Sequence, residues 1–399
     1  MSEWRTRTKL VHEGIRRSQF GEMAEALFLT QGFIYPSASA AEARFIEAGE
    51  DEFIYARYGN PTTRMFEDRM AAIEGTEDAF ACASGMAAIN GALTCILKAG
   101  DHVVAARQMF GSCLHVLKVL AGFGVEVTLI DGACLDNWRA AVKANTNICF
   151  FESVSNPGLE VIDIKGVAEI AHAAGAIVVV DNAFASPIFS RAVDLGADVV
   201  VYSATKHIDG GGRVLGGVVC GTKEFIRGPL EMYVKHTGGA MSPFHAWLLL
   251  NGLQTLDLRV RAQAASAKAV AEAIEGHPHV SRVIYPGLPS HPQHALAMAQ
   301  MGAGGTMLGL DFEGGKDIAF RFLDALDVVS ISNNLGDAKS IATHPATTTH
   351  KSLTDEDRAL IGITPGLVRI SFGIEDTADL VEDIQSALEV ALGECGEAG

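Results

Sequence analysis

Residues 199–217 read VVVYSATKHIDGGGRVLGG. The continuous β-branched run that opens the segment is the pattern of a strand covered on both faces, as strands of parallel sheets are. It leads through Ser203 and Thr205 to Lys206 and then into a turn of three glycines. Ligands of an open parallel sheet bind beyond the carboxyl ends of its strands, so Lys206 is expected at the ligand edge. An amine there can form an imine with an aldehyde, while the hydroxyls of Ser203 and Thr205 hold an anionic group.

Upstream, a second buried run, AIVVV, ends in Asp181-Asn182. A carboxylate at that strand end can pair with a pyridine nitrogen and keep it protonated, which makes the ring an electron sink. Further upstream, AFACASGMAAINGAL reads as a strand, then Ala-Ser-Gly, then a helix. The unpaired N–H groups of Ser84, Gly85 and Met86 at that helix start favour a phosphate, and Gly85 carries no side chain to block its approach. Each feature has a bland reading alone: a loop lysine, a capping or solvated carboxylate, an ordinary Ser-Gly helix start. Together they are the parts of a pyridoxal 5′-phosphate site.

The same strand end offers a rival. Tyr202 and Lys206 have the YxxxK spacing of short-chain NAD(P) dehydrogenases. Those enzymes also need a glycine-rich dinucleotide turn after the first strand, and the first sixty residues contain none. A silent binding or scaffold role gives no reason for lysine, aspartate and cradle to coincide.

The whole chain is compatible with a metabolic enzyme. Its 399 residues exceed one typical domain, and with 48% apolar and 20% charged residues no segment has the composition of a disordered tail. A net charge of −17 without a basic cluster argues against a nucleic-acid partner. No apolar run reaches the roughly 18 to 20 residues of a membrane span, and no secretory h-region follows the first residues, so a cytoplasmic location is expected. The seven cysteines are scattered, without a CxxC pair, and suggest neither disulfides nor zinc; no metal is expected. His277, His279, His291 and His294 fall among prolines without helical spacing and read as a solvated loop.

Between about 63 and 240, short β-branched runs alternate with helical patterns at Met86 to Lys98, Ser112 to Gly122 and Ile164 to Ala174. This predicts an α/β domain with a mainly parallel central sheet and helices on both faces. A long helical stretch from Ala246 to Glu275 and then mixed strands, including GTMLGLDF and LVRISFG, predict a smaller C-terminal α/β domain. The expected division is 1–62 as an N-terminal arm without its own core, 63–250 as the cofactor-binding domain, and 251–399.

Six motifs resemble the trans-sulfuration (Cys/Met metabolism) family of pyridoxal-phosphate enzymes: YARYGNPT (55–62), ASGMAA (83–88), ESVSNP (152–157), VVDNAFASP (179–187), SATKHIDGGGRVLGG (203–217) and VRISFGIED (368–376). The likeness runs from about residue 8 to 393. FGSC (110–113), DGGGRVLGG (209–217) and NNLGDAKSIATHPATTTH (333–350) bring the chain closest to the family's O-succinylhomoserine sulfhydrylase branch. The resemblance implies fold type I of the pyridoxal-phosphate transferases, the aspartate aminotransferase-like fold. It also implies a homotetramer built as a dimer of dimers with shared active sites.

In the roles the resemblance implies, Lys206 is the covalent anchor and base. Gly85 and Met86, next to Ser84, join Ser203 and Thr205 around the phosphate, and Tyr55 and Arg57 reach a partner subunit's phosphate across the dimer. Asn156 bonds the ring hydroxyl and Asp181 the ring nitrogen. Arg369 clamps the substrate α-carboxylate, with Asn334 as a further substrate contact. Phe110 stands where most of the family has a tyrosine stacked on the ring; it can stack but cannot pass a proton, which falls to Lys206, assisted by Tyr55. Arg213 is the candidate for the distal succinyl carboxylate. His344 and His350 fall near the substrate pocket without an assigned role.

The implied activity is γ-replacement on an O-acylhomoserine, succinyl before acetyl, with sulfide to give homocysteine and succinate in methionine biosynthesis. Cystathionine γ-synthase, using cysteine, and cystathionine or methionine γ-lyase are the alternatives.

Overall fold

The computed structural model describes residues 4–49 and 51–393. Twelve strands follow along the described chain: β1 Asp78–Cys82, β2 His102–Ala106, β3 Glu126–Ile130, β4 Thr146–Glu152, β5 Ile177–Asp181, β6 Val199–Ser203, β7 Gly217–Gly221, β8 Val280–Ile284, β9 Met307–Phe312, β10 Ser330–Ile331, β11 Ile341–Thr343 and β12 Leu367–Ser371. The chain divides into two compact units, Met1–Leu97 with Asp198–Leu256, and Lys98–Ala197 with Asp257–Gly399.

In the first unit β7 pairs antiparallel with both β1 and β6. Helix Pro61–Glu74 packs on β1 and buries Met65, Phe66, Met70 and Ile73; each such side chain contributes about 1.5–3 kcal/mol of transfer free energy. Its start is set by Asn60, whose side chain accepts from Thr62 N, with Pro61 at the first turn, and its end by Gly75 in the left-handed region at φ 93°. The chain before this helix has little core of its own: helix Thr6–His12 buries Leu10 alone and helix Ala38–Ile46 buries nothing. Phe20, Met23, Ile34 and Ile46 are exposed. An enclosed ion pair, Arg69 Nη2 to Glu25 Oε1 at 2.7 Å, fastens this segment to the helix.

The second unit contains the parallel ladders of β5 with β4, β4 with β2, and β2 with β3. Their β-branched runs are buried at β2, β4 and β5, whereas the β3 side chains are partly exposed. The expected mainly parallel arrangement is thus present, with β7 as its antiparallel exception. A five-stranded sheet in the order β10-β11-β12-β9-β8 completes the unit. It packs Leu308, Leu310, Val368 and Ile370 against Val270, Phe322, Leu380 and Ile384.

Two expectations change. The helical stretch from Ala246 to Glu275 is two helices, Pro243–Gln254 and Leu256–Ile274, because Thr255 leaves helical geometry at φ −110°, ψ 4°. Immediately before it, Gly252 lies so close to the Ile208 carbonyl that a Cβ would stand 2.2 Å from that oxygen, which fixes the path there. His291 is buried rather than solvated; its Nδ1 accepts from Gln293 N at 3.2 Å, and burial lowers its basicity. No helix among the described residues is long and apolar enough to cross a membrane.

Candidate active site

In the first unit the expected phosphate cradle is a helix start pressed against two strand ends. Ser84 caps helix Gly85–Thr94, its Oγ accepting from Ala87 N at 3.1 Å. The N–H groups of Gly85 and Met86 therefore have no carbonyl in their own helix. A Cβ on Gly85 would lie 2.8 Å from the Ser203 Cβ and 2.9 Å from its Oγ, and one on Gly217 would meet the Ser84 carbonyl at 2.1 Å. Glycine at both positions lets the helix start sit directly on the ends of β6 and β7. Backbone donors at a helix start, next to the Ser203 hydroxyl, are the kind of groups that bind a phosphate.

Lys206 follows β6 in a tight turn, half-buried, its N–H donating to Ser203 O at 3.2 Å and its carbonyl accepting from Gly210 N at 2.8 Å. The Thr205 hydroxyl exchanges hydrogen bonds with Gly216, donating at 3.2 Å and accepting at 3.0 Å, so it braces the turn. Arg213 folds back on buried Asp209: its backbone N–H donates at 2.7 Å and its Nε at 3.0 Å. Its side chain is still 43% exposed to solvent. Tyr55 is exposed, and Arg57 lies 5.4 Å from its ring centre and 4.9 Å from that of Tyr58 while donating to the Lys235 carbonyl.

In the second unit the acidic end of β5 lies beside the acidic end of β4, with Asp181 opposite Glu152 in the ladder. The role of Glu152 was not legible in the sequence. It is buried, and its two oxygens accept from Phe110 N at 2.7 Å and from Asn156 N at 2.9 Å. One carboxyl thus fixes the backbone of both Phe110 and Asn156. Burial, reinforced by the charge of Asp181, raises its pKa well above the usual range, against the pull of those two N–H groups and Arg369.

Cys113 Sγ and the carboxyl oxygens of Glu152 and Asp181 lie within 4.8 Å of one another. Burial pushes the Cys113 thiol well up and keeps it protonated, and Glu152 is committed to backbone donors, so the set is a poor cation cage. It is well matched to one protonated ring nitrogen facing Asp181.

Arg369, on β12, is buried and donates through Nη1 to Asn156 Oδ1 at 2.7 Å. Its Nη2 reaches the carbonyls of Asn333 and Asn334 at 3.2 and 3.1 Å, so Asn334 contributes a backbone oxygen here. Its Nε has no hydrogen-bond partner among the described residues. Burial lowers its pKa to about 10, with the Glu152 carboxyl opposing. A buried guanidinium with an unpartnered Nε suits an incoming carboxylate. Because a guanidinium only donates, Asn156 must turn its oxygen to Arg369, leaving the amide nitrogen as donor for a ring oxygen.

The two histidines of THPATTTH separate. His344 is a structural pin, with Nδ1 2.9 Å from Thr347 Oγ1 and Nε2 2.8 Å from the Pro365 carbonyl. His350 is fully buried near Arg369, which opposes its protonation.

The first unit therefore brings together a helix-start cradle and Lys206, and the second a buried Asp181 and Asn156. A family model described as Cys/Met metabolism PLP-dependent enzyme matches residues 7–389. The O-succinylhomoserine sulfhydrylase of Mycobacterium tuberculosis is 52% identical over 384 residues, covering 95% of this chain and 94% of that protein. The O-succinylhomoserine sulfhydrylase of Pseudomonas aeruginosa is 47% identical over 383 residues, covering 96% and 94%. Among solved structures, a putative O-acetylhomoserine (thiol)-lyase from Campylobacter jejuni superposes with a TM-score of 0.92 at 28% identity, covering 97% of this chain and all of that one, and it carries a pyridoxyl-lysine monophosphate. With these likenesses along nearly its full length, the chain belongs to the Cys/Met metabolism family of pyridoxal-phosphate-dependent enzymes, and pyridoxal 5′-phosphate is its cofactor.

Proposed function

We propose that this enzyme exchanges the succinyl ester of O-succinylhomoserine for sulfide, forming homocysteine and succinate in methionine biosynthesis. The likeness of nearly the whole chain to two O-succinylhomoserine sulfhydrylases carries this reading, and Phe110 in place of a ring-stacking tyrosine agrees with it.

When bound, the pyridoxal ring supplies an electron sink for negative charge at the substrate Cα. The Gly85 and Met86 N–H groups, with Ser84, Ser203 and, once its hydroxyl turns from Gly216 O, Thr205, would hold its phosphate; Asp181 would keep its nitrogen protonated, Asn156 would donate to its hydroxyl oxygen, and Phe110 would offer its ring face. Lys206 Nζ would anchor it, and the same amine would take the Cα proton and later return it. Arg369, with Asn334, orients the substrate by its α-carboxylate, so that the proton to be removed faces the lysine. Release of succinate breaks Cγ–O, and sulfide forms Cγ–S. Arg213 is the cation for the distal succinyl carboxylate.

Residues 1–62 act as an arm, 63–250 as the cofactor domain and 251–399 as the C-terminal domain. The arm's exposed Phe20, Met23, Ile34 and Ile46 suit burial against another copy. Tyr55 and Arg57 then serve the partner's phosphate, Tyr55 assisting proton transfer, in a cytoplasmic tetramer of paired dimers.

The test is an assay of purified protein with succinyl and acetyl esters of homoserine, each with sulfide and with cysteine. Homocysteine formed fastest from the succinyl ester and sulfide is the expected result. Preferential cystathionine formation, or release of 2-oxobutyrate without a thiol product, would overturn the assignment.

A further inference from the structure

One carboxyl supports two of the candidate ring contacts. The Phe110 N–H donates to Glu152 Oε1 at 2.7 Å and the Asn156 N–H donates to Glu152 Oε2 at 2.9 Å, so each oxygen serves one backbone donor. Glu152 is the last residue of β4, and it is 42 positions from the first donor and 4 from the second. Its own exposure is 5% and that of Asn156 is 6%. A backbone N–H this deep, left without an acceptor, carries the full cost of its lost hydration.

The other end of each residue is held as well. The Phe110 carbonyl accepts from Cys113 N at 2.8 Å at the start of helix Gly111–Gly122, and Asn156 Oδ1 accepts from Arg369 Nη1 at 2.7 Å. What each then presents is the group a pyridoxal ring would meet: a half-buried phenyl ring and an amide nitrogen. Asp181 stands opposite Glu152 in the ladder of β4 with β5, and a carboxyl oxygen of each lies with Cys113 Sγ inside a 4.8 Å group. The chemistry of position 152 is restrictive. A hydroxyl offers one acceptor atom, an amide offers one oxygen beside a nitrogen that only donates, and aspartate is one methylene shorter.

We propose that Glu152 is a positioning residue for the cofactor ring: it sets Phe110 and Asn156 as one piece, so that the stacking face and the donor to the ring oxygen keep a fixed spacing beside Asp181. The proposal rests on the reading of Phe110 and Asn156 as ring contacts. Glu152 itself touches neither cofactor nor substrate in this assignment and acts through the two backbone bonds.

The experiment titrates apoenzyme with pyridoxal 5′-phosphate and records the absorption of the resulting holoenzyme. A donor to the ring oxygen favours its ionised form, which absorbs at longer wavelength than the neutral form, so the ratio of the two bands reports the placement of the Asn156 amide. Glu152→Gln keeps the size of the side chain but leaves one N–H facing a donor. It is expected to weaken cofactor binding about tenfold, the size of one lost hydrogen bond to an ionised oxygen, and to move the band ratio toward that of Asn156→Ala. In the Asn156→Ala background Glu152→Gln should leave the ratio where it already stands, because the contact it positions is gone. Parent-like affinity and ratio in Glu152→Gln, with or without a lower Tm of the apoenzyme, overturn the proposal and leave Glu152 a structural brace. An equal spectral shift in the Asn156→Ala background overturns it too. An unaltered ratio in Asn156→Ala alone removes instead the reading of Asn156 as a ring contact. If Glu152→Gln does not fold, Glu152→Asp, too short to reach both donors, replaces it under the same expectations.

Discussion

The Arg369 guanidinium donates to the Asn156 side-chain oxygen at 2.7 Å although the two lie 213 positions apart in the chain. The bond joins the candidate clamp for the substrate to the candidate partner of the cofactor ring hydroxyl. It also sets the polarity of the amide, since an all-donor guanidinium can face only the oxygen. Glu152 holds the backbone N–H of the same asparagine at 2.9 Å, so Asn156 is restrained at both ends.

Replacing Arg369 removes this link together with the carboxylate site. Arg369→Ala should lower kcat/KM by roughly 10² to 10³, as expected for truncation of a buried, hydrogen-bonded charge partner. Arg369→Lys should recover little, because an ammonium cannot reproduce the planar fork. Steady-state kinetics at matched cofactor content checks both; undiminished kcat/KM in the alanine variant would count against the clamp.

Lys206→Ala should abolish turnover and the visible absorption of the lysine-bound cofactor together, because one amine serves as both anchor and base. Borohydride treatment followed by peptide mass mapping should find the adduct at position 206 in the parent and nowhere in the variant. Full activity in the variant would sink the assignment.

Gly85→Ala tests the cradle. Its Cβ would sit 2.8 Å from that of Ser203, and overpacking of this kind costs about 1–3 kcal/mol. The expected result is weaker retention of the cofactor, read as a smaller rise in Tm when pyridoxal phosphate is added. An unchanged rise would mean that the helix start does not hold the phosphate.

Arg213→Ala should weaken the succinyl ester more than the acetyl ester, by about three- to tenfold in kcat/KM, the range of a partly exposed ion pair. Equal losses for both esters would remove Arg213 from substrate recognition and leave it as a brace for Asp209.

The buried imidazole also predicts an acid limit. Burial, helped by the Arg369 charge, lowers the pKa of His350 from 6.5 to about 4. Between those values the unfolded chain binds the proton and the native chain does not, so stability falls as pH drops through that window, by roughly 3 kcal/mol at its lower end. His350→Gln should flatten this part of the urea-unfolding profile between pH 6.5 and 4. A parallel profile in parent and variant would show that His350 takes no part in it.

Much of the architecture could be read from local patterns. The β-branched run before Ser203 marked β6, the run before Asp181 marked β5, and Ser84-Gly85 marked the start of a helix that does begin at Gly85. These features are encoded within a few neighbouring residues, because strand burial and helix capping are local in sequence. Local pattern failed at Thr255, where helical periodicity continues across a residue whose backbone has left the helix.

The amino-acid sequence by itself determined the alternation of strands and helices, the position of Lys206 after β6 and that of Asp181 at the end of β5. Tertiary structure alone decided that Glu152 restrains Phe110 and Asn156, and that Arg369 is buried and donates to the Asn156 side chain. The reason is physical. Periodicity records which side chains avoid water, whereas hydrogen bonds and charge repulsion between groups far apart in the chain exist only after the backbone has brought them within a few ångströms.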